Sequence, residues 1–154
     1  AKTLDEALAL AAVSAAVTHN HPEGVKGAQA IAASVFLCKE GLSKEQIRYY
    51  VERVFGYRLR RKIADIRPAY SFDVSCQGSV PEAIIAFLEG NDFEEVIRLA
   101  VSLGGDSDTI ACMAGAIAAC KYSIPNEMAE RCDEILTNDL RKIKDDFMRL
   151  LDGR

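Results

Sequence analysis

"SLGGDSDTIACMAGAIAAC", residues 102–120, sets a glycine pair and two aspartates one residue apart ahead of a run of small apolar side chains. A helix places residues i and i+2 about 200° apart, so Asp106 and Asp108 cannot both leave a regular helix in one direction. They are expected to straddle a loop and a helix start. Gly104 and Gly105 supply the backbone freedom for that turn. Ser107 or Asp108 is the expected N-cap of a helix beginning near Thr109. The Ala- and Gly-rich run allows close approach of neighbours, so this helix is predicted to be central and tightly surrounded.

Working outward, the flanks also read as helices. Thr3 and Glu6 form a capping-box pattern ahead of a helix over 3–18. Pro22 and Gly24 interrupt it, and a second helix is predicted from about Val25 to Glu40, closed by Gly41. Ser43 with Gln46 opens a third helix, about 44–54, ending near Gly56. A short helical piece around 59–66 stops before Pro68. Residues 68–81, "PAYSFDVSCQGSVP", carry proline at both ends and read as a loop of mixed character, since one alternating tetrapeptide without a partner is not a sheet. Two helices separated by Gly90 follow, the second with Asn91 as its expected cap. Pro125 restarts a helix to about Leu136. The final helix places Leu140, Ile143, Phe147 and Leu150 on one stripe. The prediction is an all-α fold, a compact multi-helix orthogonal bundle forming a single domain over 1–154.

The 154 residues are 49% apolar with a net charge of −4. That composition suits a soluble domain, and the charge supplies no basic field for nucleic acid. Five cysteines, odd in number and without a C-x-x-C pair, read as reduced, mostly buried thiols. No apolar stretch approaches a membrane span, and "AKTLDEALAL" lacks the regions of a signal peptide, so a cytoplasmic location is expected.

Two carboxylates and a hydroxyl converging on one volume repel unless a cation or hydrogen bonds compensate. Oxygen donors suit Mg²⁺, Mn²⁺ or Ca²⁺, and the lack of nearby His or Cys speaks against zinc. Three ligands are few for a complete site, so further carboxylates or waters are required. The competing reading is that both aspartates only cap the helix, favoured by its dipole.

"GGDSDTIACMAGAIAA" closely resembles the carboxy-terminal metal motif of the ADP-ribosylglycohydrolase family, whose usual form is G-G-D-[ST]-D-T followed by a small-residue helix. "AAVTHNHPEGVKGAQAIA" resembles that family's T-H-x-x-P-x-G-x-x-G-A segment, and "QGSVPEAIIAFL" its segment near the adenosine pocket. The three occur in the family's order. The resemblance implies the carboxy-terminal part of that all-α fold and hydrolysis of an ADP-ribosyl glycosidic bond. It implies that Asp106, Asp108 and Thr109 are ligands of a two-ion Mg²⁺ site, Mn²⁺ being an alternative. His19 then lines the ADP-ribose site, with Ser79, Gly104 and Gly105 near the ligand. The family's amino-terminal metal motif, Gly-rich loop and acid/base carboxylate have no match here. The remaining ligands are therefore expected from an amino-terminal portion, on this or a complementary chain, and no catalytic residue is assigned. His21 reads as a surface or capping residue, Glu23 as a solvated loop residue and Asp73 as a turn residue. The implied partner is an ADP-ribosylated protein or small-molecule conjugate. The alternative is a non-catalytic ADP-ribose-binding or oligomerising helical module, a homo-oligomer in the latter case.

Overall fold

A computed structural model describes residues 1–152; Gly153 and Arg154, the end of the predicted 1–154 domain, lie outside the described residues. The described residues are helical and contain no strand, as the sequence predicts. Contacts divide the chain into two compact units, Ala1–Ser123 and Ile124–Arg154.

The first unit contains α1 (Leu4–Ala16), α2 (Pro22–Lys39), α3 (Lys44–Phe55), the short α4 (Ile63–Ile66) and a 3₁₀ turn, Arg67–Ala69. It continues with α5 (Cys76–Glu89), α6 (Phe93–Val101) and α7 (Ser107–Ala118). Its caps follow local chemistry. Thr3 Oγ1 accepts the Glu6 N–H, and Ser43 with Gln46 completes a reciprocal box. Gly41 and Gly56 end their helices at φ 83° and 73°, conformations that favour glycine.

Two prolines depart from the sequence expectation. Pro22 occupies the first position of α2, where a missing N–H costs nothing, and His21 caps it, so the helix begins ahead of the predicted Val25. Pro81 lies inside α5, which starts at Cys76 under a Ser75 cap rather than after the predicted loop. A proline there leaves one intrahelical bond unmade. Continuous burial from Ser79 to Phe87 offsets that loss, each large apolar side chain contributing roughly 1.5–3 kcal/mol.

That burial makes α5 the central helix of the unit, in place of α7. The latter buries one face through Ile110, Ala114, Ile117 and Ala118, while Cys112 and Ala116 remain exposed. Its small residues still do what the sequence suggests, because a Cβ on Gly115 would stand 3.0 Å from the Ile97 Cδ1 of α6. The cysteines are more open than expected: Cys38 is buried, Cys76 and Cys120 are half-buried, and Cys112 and Cys132 are exposed.

Lys44, at the start of α3, donates to the Gly90 carbonyl between α5 and α6. Its ammonium lies 5.5 Å from the Phe87 ring centroid and 5.6 Å from that of Tyr122. The Tyr122 hydroxyl donates to the same carbonyl at 3.1 Å.

The second unit holds α8 (Asn126–Ile135), with Pro125 at its N-cap, and α9 (Asn138–Asp152). Arg141 donates to the Leu136 carbonyl at 3.2 Å, and Lys144 pairs with Asp133 at 2.5 Å. The predicted stripe of Leu140, Ile143, Phe147 and Leu150 is exposed within this unit.

Candidate functional site

The chain leaves α6 at Ser102 and turns into α7 through two successive left-handed residues, Gly104 at φ 74° and Gly105 at φ 61°. Among the described residues no non-glycine residue takes positive φ. The two glycines answer different demands. Nothing lies within 4 Å of a Cβ built on Gly104, so only its backbone conformation matters. A Cβ on Gly105 would stand 3.0 Å from Tyr70 Cε1, 3.1 Å from the Ser71 carbonyl and 3.2 Å from Phe72 Cα. The 70–72 backbone is therefore pressed against the turn.

Asp106 is the N-cap of α7, ahead of the expected Ser107 or Asp108, so the helix starts at Ser107 rather than Thr109. Its backbone takes φ −80° and ψ 59° in place of the extended conformation usual for a cap, and its side chain makes no cap bond. The carboxyl instead meets Asp108. A hydrogen bond shared with Asp106, then the N–H groups of Thr109 and of Asp108 itself, hold the Asp108 carboxyl below the usual carboxylate range. Asp108 and Thr109 are exposed, and Asp106 is half-buried. One turn thus presents two adjoining carboxyls and a hydroxyl.

Tyr70 connects this turn to the start of α5. Its hydroxyl donates to the Gly78 carbonyl at 2.8 Å. Burial first, then the charges of Glu82, Asp73 and Asp106, push its ionisation up. Asp73 behaves as the predicted turn residue, with Oδ1 accepting the Ser75 N–H at 2.7 Å. Its Oδ2 lies 2.0 Å from where a Gly78 Cβ would stand, so the absent side chain makes room for the carboxylate. Ser79 is buried in α5, and its hydroxyl donates to the Ser75 carbonyl at 2.9 Å. The sequence does not single out Tyr70, which sits in a segment read as loop and meets Gly105, thirty-five positions further on, only in the folded chain.

Gly104, Gly105, Asp106, Asp108 and Thr109 therefore share one turn, with Ser79 one Tyr70 link away. His19 stands apart. It is exposed after α1, with Nδ1 2.8 Å from the Thr18 hydroxyl. A Cβ on Gly24 of α2 would stand 2.8 Å from the His19 carbonyl, and one on Gly27 of the same helix 3.0 Å from Cys76 Cβ at the start of α5. His21 is a cap, Nδ1 accepting the Glu23 N–H at 3.2 Å, and Glu23 pairs with Lys26 at 2.8 Å.

The donor set of the α7 turn is hard oxygen, which fits Mg²⁺ or Mn²⁺ in kind. In number it is partial. Among the described residues no group of three or more His, Cys, Asp or Glu side chains is placed to hold a metal ion. No helix among them is long and apolar enough to cross a membrane.

The model of the ADP-ribosylglycohydrolase family matches residues 1–154. An uncharacterized protein of Archaeoglobus fulgidus is 32% identical over 135 residues, 78% of this chain and 44% of that protein. The ADP-ribosylarginine hydrolase Tri1 of Pseudomonas putida is 30% identical over 125 residues, 75% of this chain and 33% of its own length. The Homo sapiens ADP-ribosylhydrolase ARH3 is 34% identical over 84 residues, 42% of this chain and 23% of its own. The chain spans less than half the length of these curated relatives. Matched by the family model from Ala1 to Arg154, it belongs to the ADP-ribosylglycohydrolase family.

Proposed function

We propose that this chain supplies one wall of a divalent-cation site used to hydrolyse an ADP-ribosyl glycosidic bond. Asp106, Asp108 and Thr109 are its ligands, and the other ligands and the acid/base carboxylate come from outside residues 1–154. One observation carries the reading: Asp106 holds a cap position but does not spend its carboxyl on the helix, keeping it beside Asp108. The hydrolase names of Tri1 and ARH3 support the reaction class.

The overall reaction adds the elements of water across the bond from the anomeric carbon to the acceptor. The water oxygen joins that carbon, the acceptor atom leaves with a proton, and the transition state has oxocarbenium character. A Mg²⁺ or Mn²⁺ ion bound at the site supplies positive charge for substrate oxygens and lowers the pKa of a bound water. Gly104 and Gly105 hold the turn that presents both carboxyls, and Tyr70 fixes that turn against α5. His19 and Ser79 are assigned to the ADP-ribose side of the site.

The test is electron paramagnetic resonance of Mn²⁺ together with release of ADP-ribose from an ADP-ribosylated peptide, both with the remainder of the family domain present. Asp106→Asn and Asp108→Asn are expected to weaken Mn²⁺ binding and hydrolysis together. Unchanged Mn²⁺ binding in the double variant overturns the assignment.

A further inference from the structure

At the other end of α5 from Ser79, about 15 Å along the helix at 1.5 Å per residue, lies a pocket of about 340 Å³. Its cations are Arg48, Arg60, Arg61 and Lys62, and its floor includes Leu59 and Ile85. Four cations against two lining carboxylates, Glu45 and Glu89, give the pocket a local excess of positive charge in a chain of net charge −4.

The two carboxylates that line the pocket are already engaged. Glu45 pairs with Arg48. Glu89 Oε1 accepts the Ile63 N–H at 2.6 Å, doing for α4 what no side chain of its own N-cap does. Arg61 pairs with the buried Glu82 at 2.8 Å. Two cations are left with charge to spare. Arg60 reaches Glu52 only at 3.6 Å with its side chain 73% exposed, and among the described residues Lys62 takes part in no ion pair. A fully solvated basic run would be free to spread its charges, but this one is clamped. Leu59 and Ile63 are buried on either side of residues 60–62, and the Leu59 N–H is held by Glu52 Oε1 at 3.3 Å. The backbone that carries Arg60 and Lys62 is thus held at the rim of a concave, partly apolar surface, where clustered charge of one sign raises the local concentration of anions.

We propose that this pocket binds a phosphate-type oxyanion, with Arg60 and Lys62 as its principal donors. Arginine offers a planar fork matched to phosphate oxygens, and lysine a point charge. The volume is at the small end of ligand pockets, roughly 300–1,000 Å³, which suits one or two phosphate groups. The site stands apart from the α7 turn and does not depend on the proposed reaction.

The experiment is a ¹H–¹⁵N NMR titration of the protein with inorganic phosphate and with pyrophosphate at constant ionic strength. Saturable shifts are expected at the amides of residues 59–63, with pyrophosphate saturating at the lower concentration. Arg60→Gln with Lys62→Gln is expected to weaken binding about tenfold. Arg61 is left intact because it holds Glu82, and an unchanged melting temperature verifies the fold of the variant. Asp108→Asn is expected to leave phosphate binding unaltered, separating this site from the cation site. Unsaturable shifts spread over the surface, or undiminished affinity in the double variant, overturn the proposal.

Discussion

Asp92 and Asp106 are N-caps of consecutive helices, and the two helix starts use the same side chain in different ways. At α6, Asp92 is extended, with φ −145° and ψ 176°, and Oδ1 accepts the Glu95 N–H at 2.7 Å. Glu95 returns the favour with a bond from the Asn91 N–H at 2.8 Å, so both carboxylates serve the backbone. At α7 the glycine pair delivers Asp106 at ψ 59°, and the carboxyl faces Asp108 instead of the amides. The first arrangement stabilises a helix. The second leaves acceptor capacity for something that is not protein backbone.

The strongest way to break the contrast is functional. With the rest of the family domain present, replacing both Asp106 and Asp108 by Asn is expected to lower ADP-ribose release about a hundredfold or more. Asp92→Ala is expected to leave turnover unchanged once its stability loss is matched by temperature.

Next in size are the glycines that aim Asp106. Gly105→Ala combines left-handed strain with the close 70–72 backbone, and about 2–3 kcal/mol is expected from denaturant unfolding. Gly104→Ala meets open space, so about 1 kcal/mol is expected. Equal costs would mean that the 70–72 segment does not press on the turn.

The caps themselves come third. Asp92→Ala is expected to cost about 1 kcal/mol, while Asp106→Ala changes stability by less than about 0.5 kcal/mol, both read from thermal melts. Matching losses would show that the Asp106 carboxyl serves its helix as the Asp92 carboxylate does.

The smallest effect is a pH dependence at the α5 cap. The Ser75 N–H, then the Ser75 hydroxyl, hold Asp73 below the usual carboxylate range. A depressed folded pKa stabilises fully above the unfolded value, about 3.9, and that stabilisation is lost as pH falls through the folded value. The melting-temperature gap between wild type and Asp73→Asn is therefore expected at pH 5 and to close toward pH 2. A gap constant over that range would remove the assignment of the Asp73 carboxylate to the turn that precedes α5.

Much of the helical order is legible because its signals are local. Thr3, Ser43, Gly41 and Gly56 each act within a few residues of where they stand. Pro81 misleads because its local penalty is overcome by burial along α5, a property of neighbours rather than of the pentapeptide around it. Asn91 and Asp92 are both competent caps, and Asp92 takes the position expected for Asn91, its carboxylate accepting the Glu95 N–H, a choice that residue type does not specify. At the candidate site, the need for glycine at 104 and 105 is legible from the turn. The pressure of the 70–72 segment on Gly105 is not, because it joins residues more than thirty positions apart. The centrality of α5 over α7 is hidden for a similar reason: a small-residue helix and a buried one look alike until their neighbours are known.

Lys44 ties the opening of α3 to a carbonyl at the α5–α6 junction and to rings on both sides of it. Such a knot makes cooperativity spatially uneven. Amide exchange in α3, in the last turn of α5 and around Tyr122 should proceed through one shared opening, and Lys44→Met should split it into separate events.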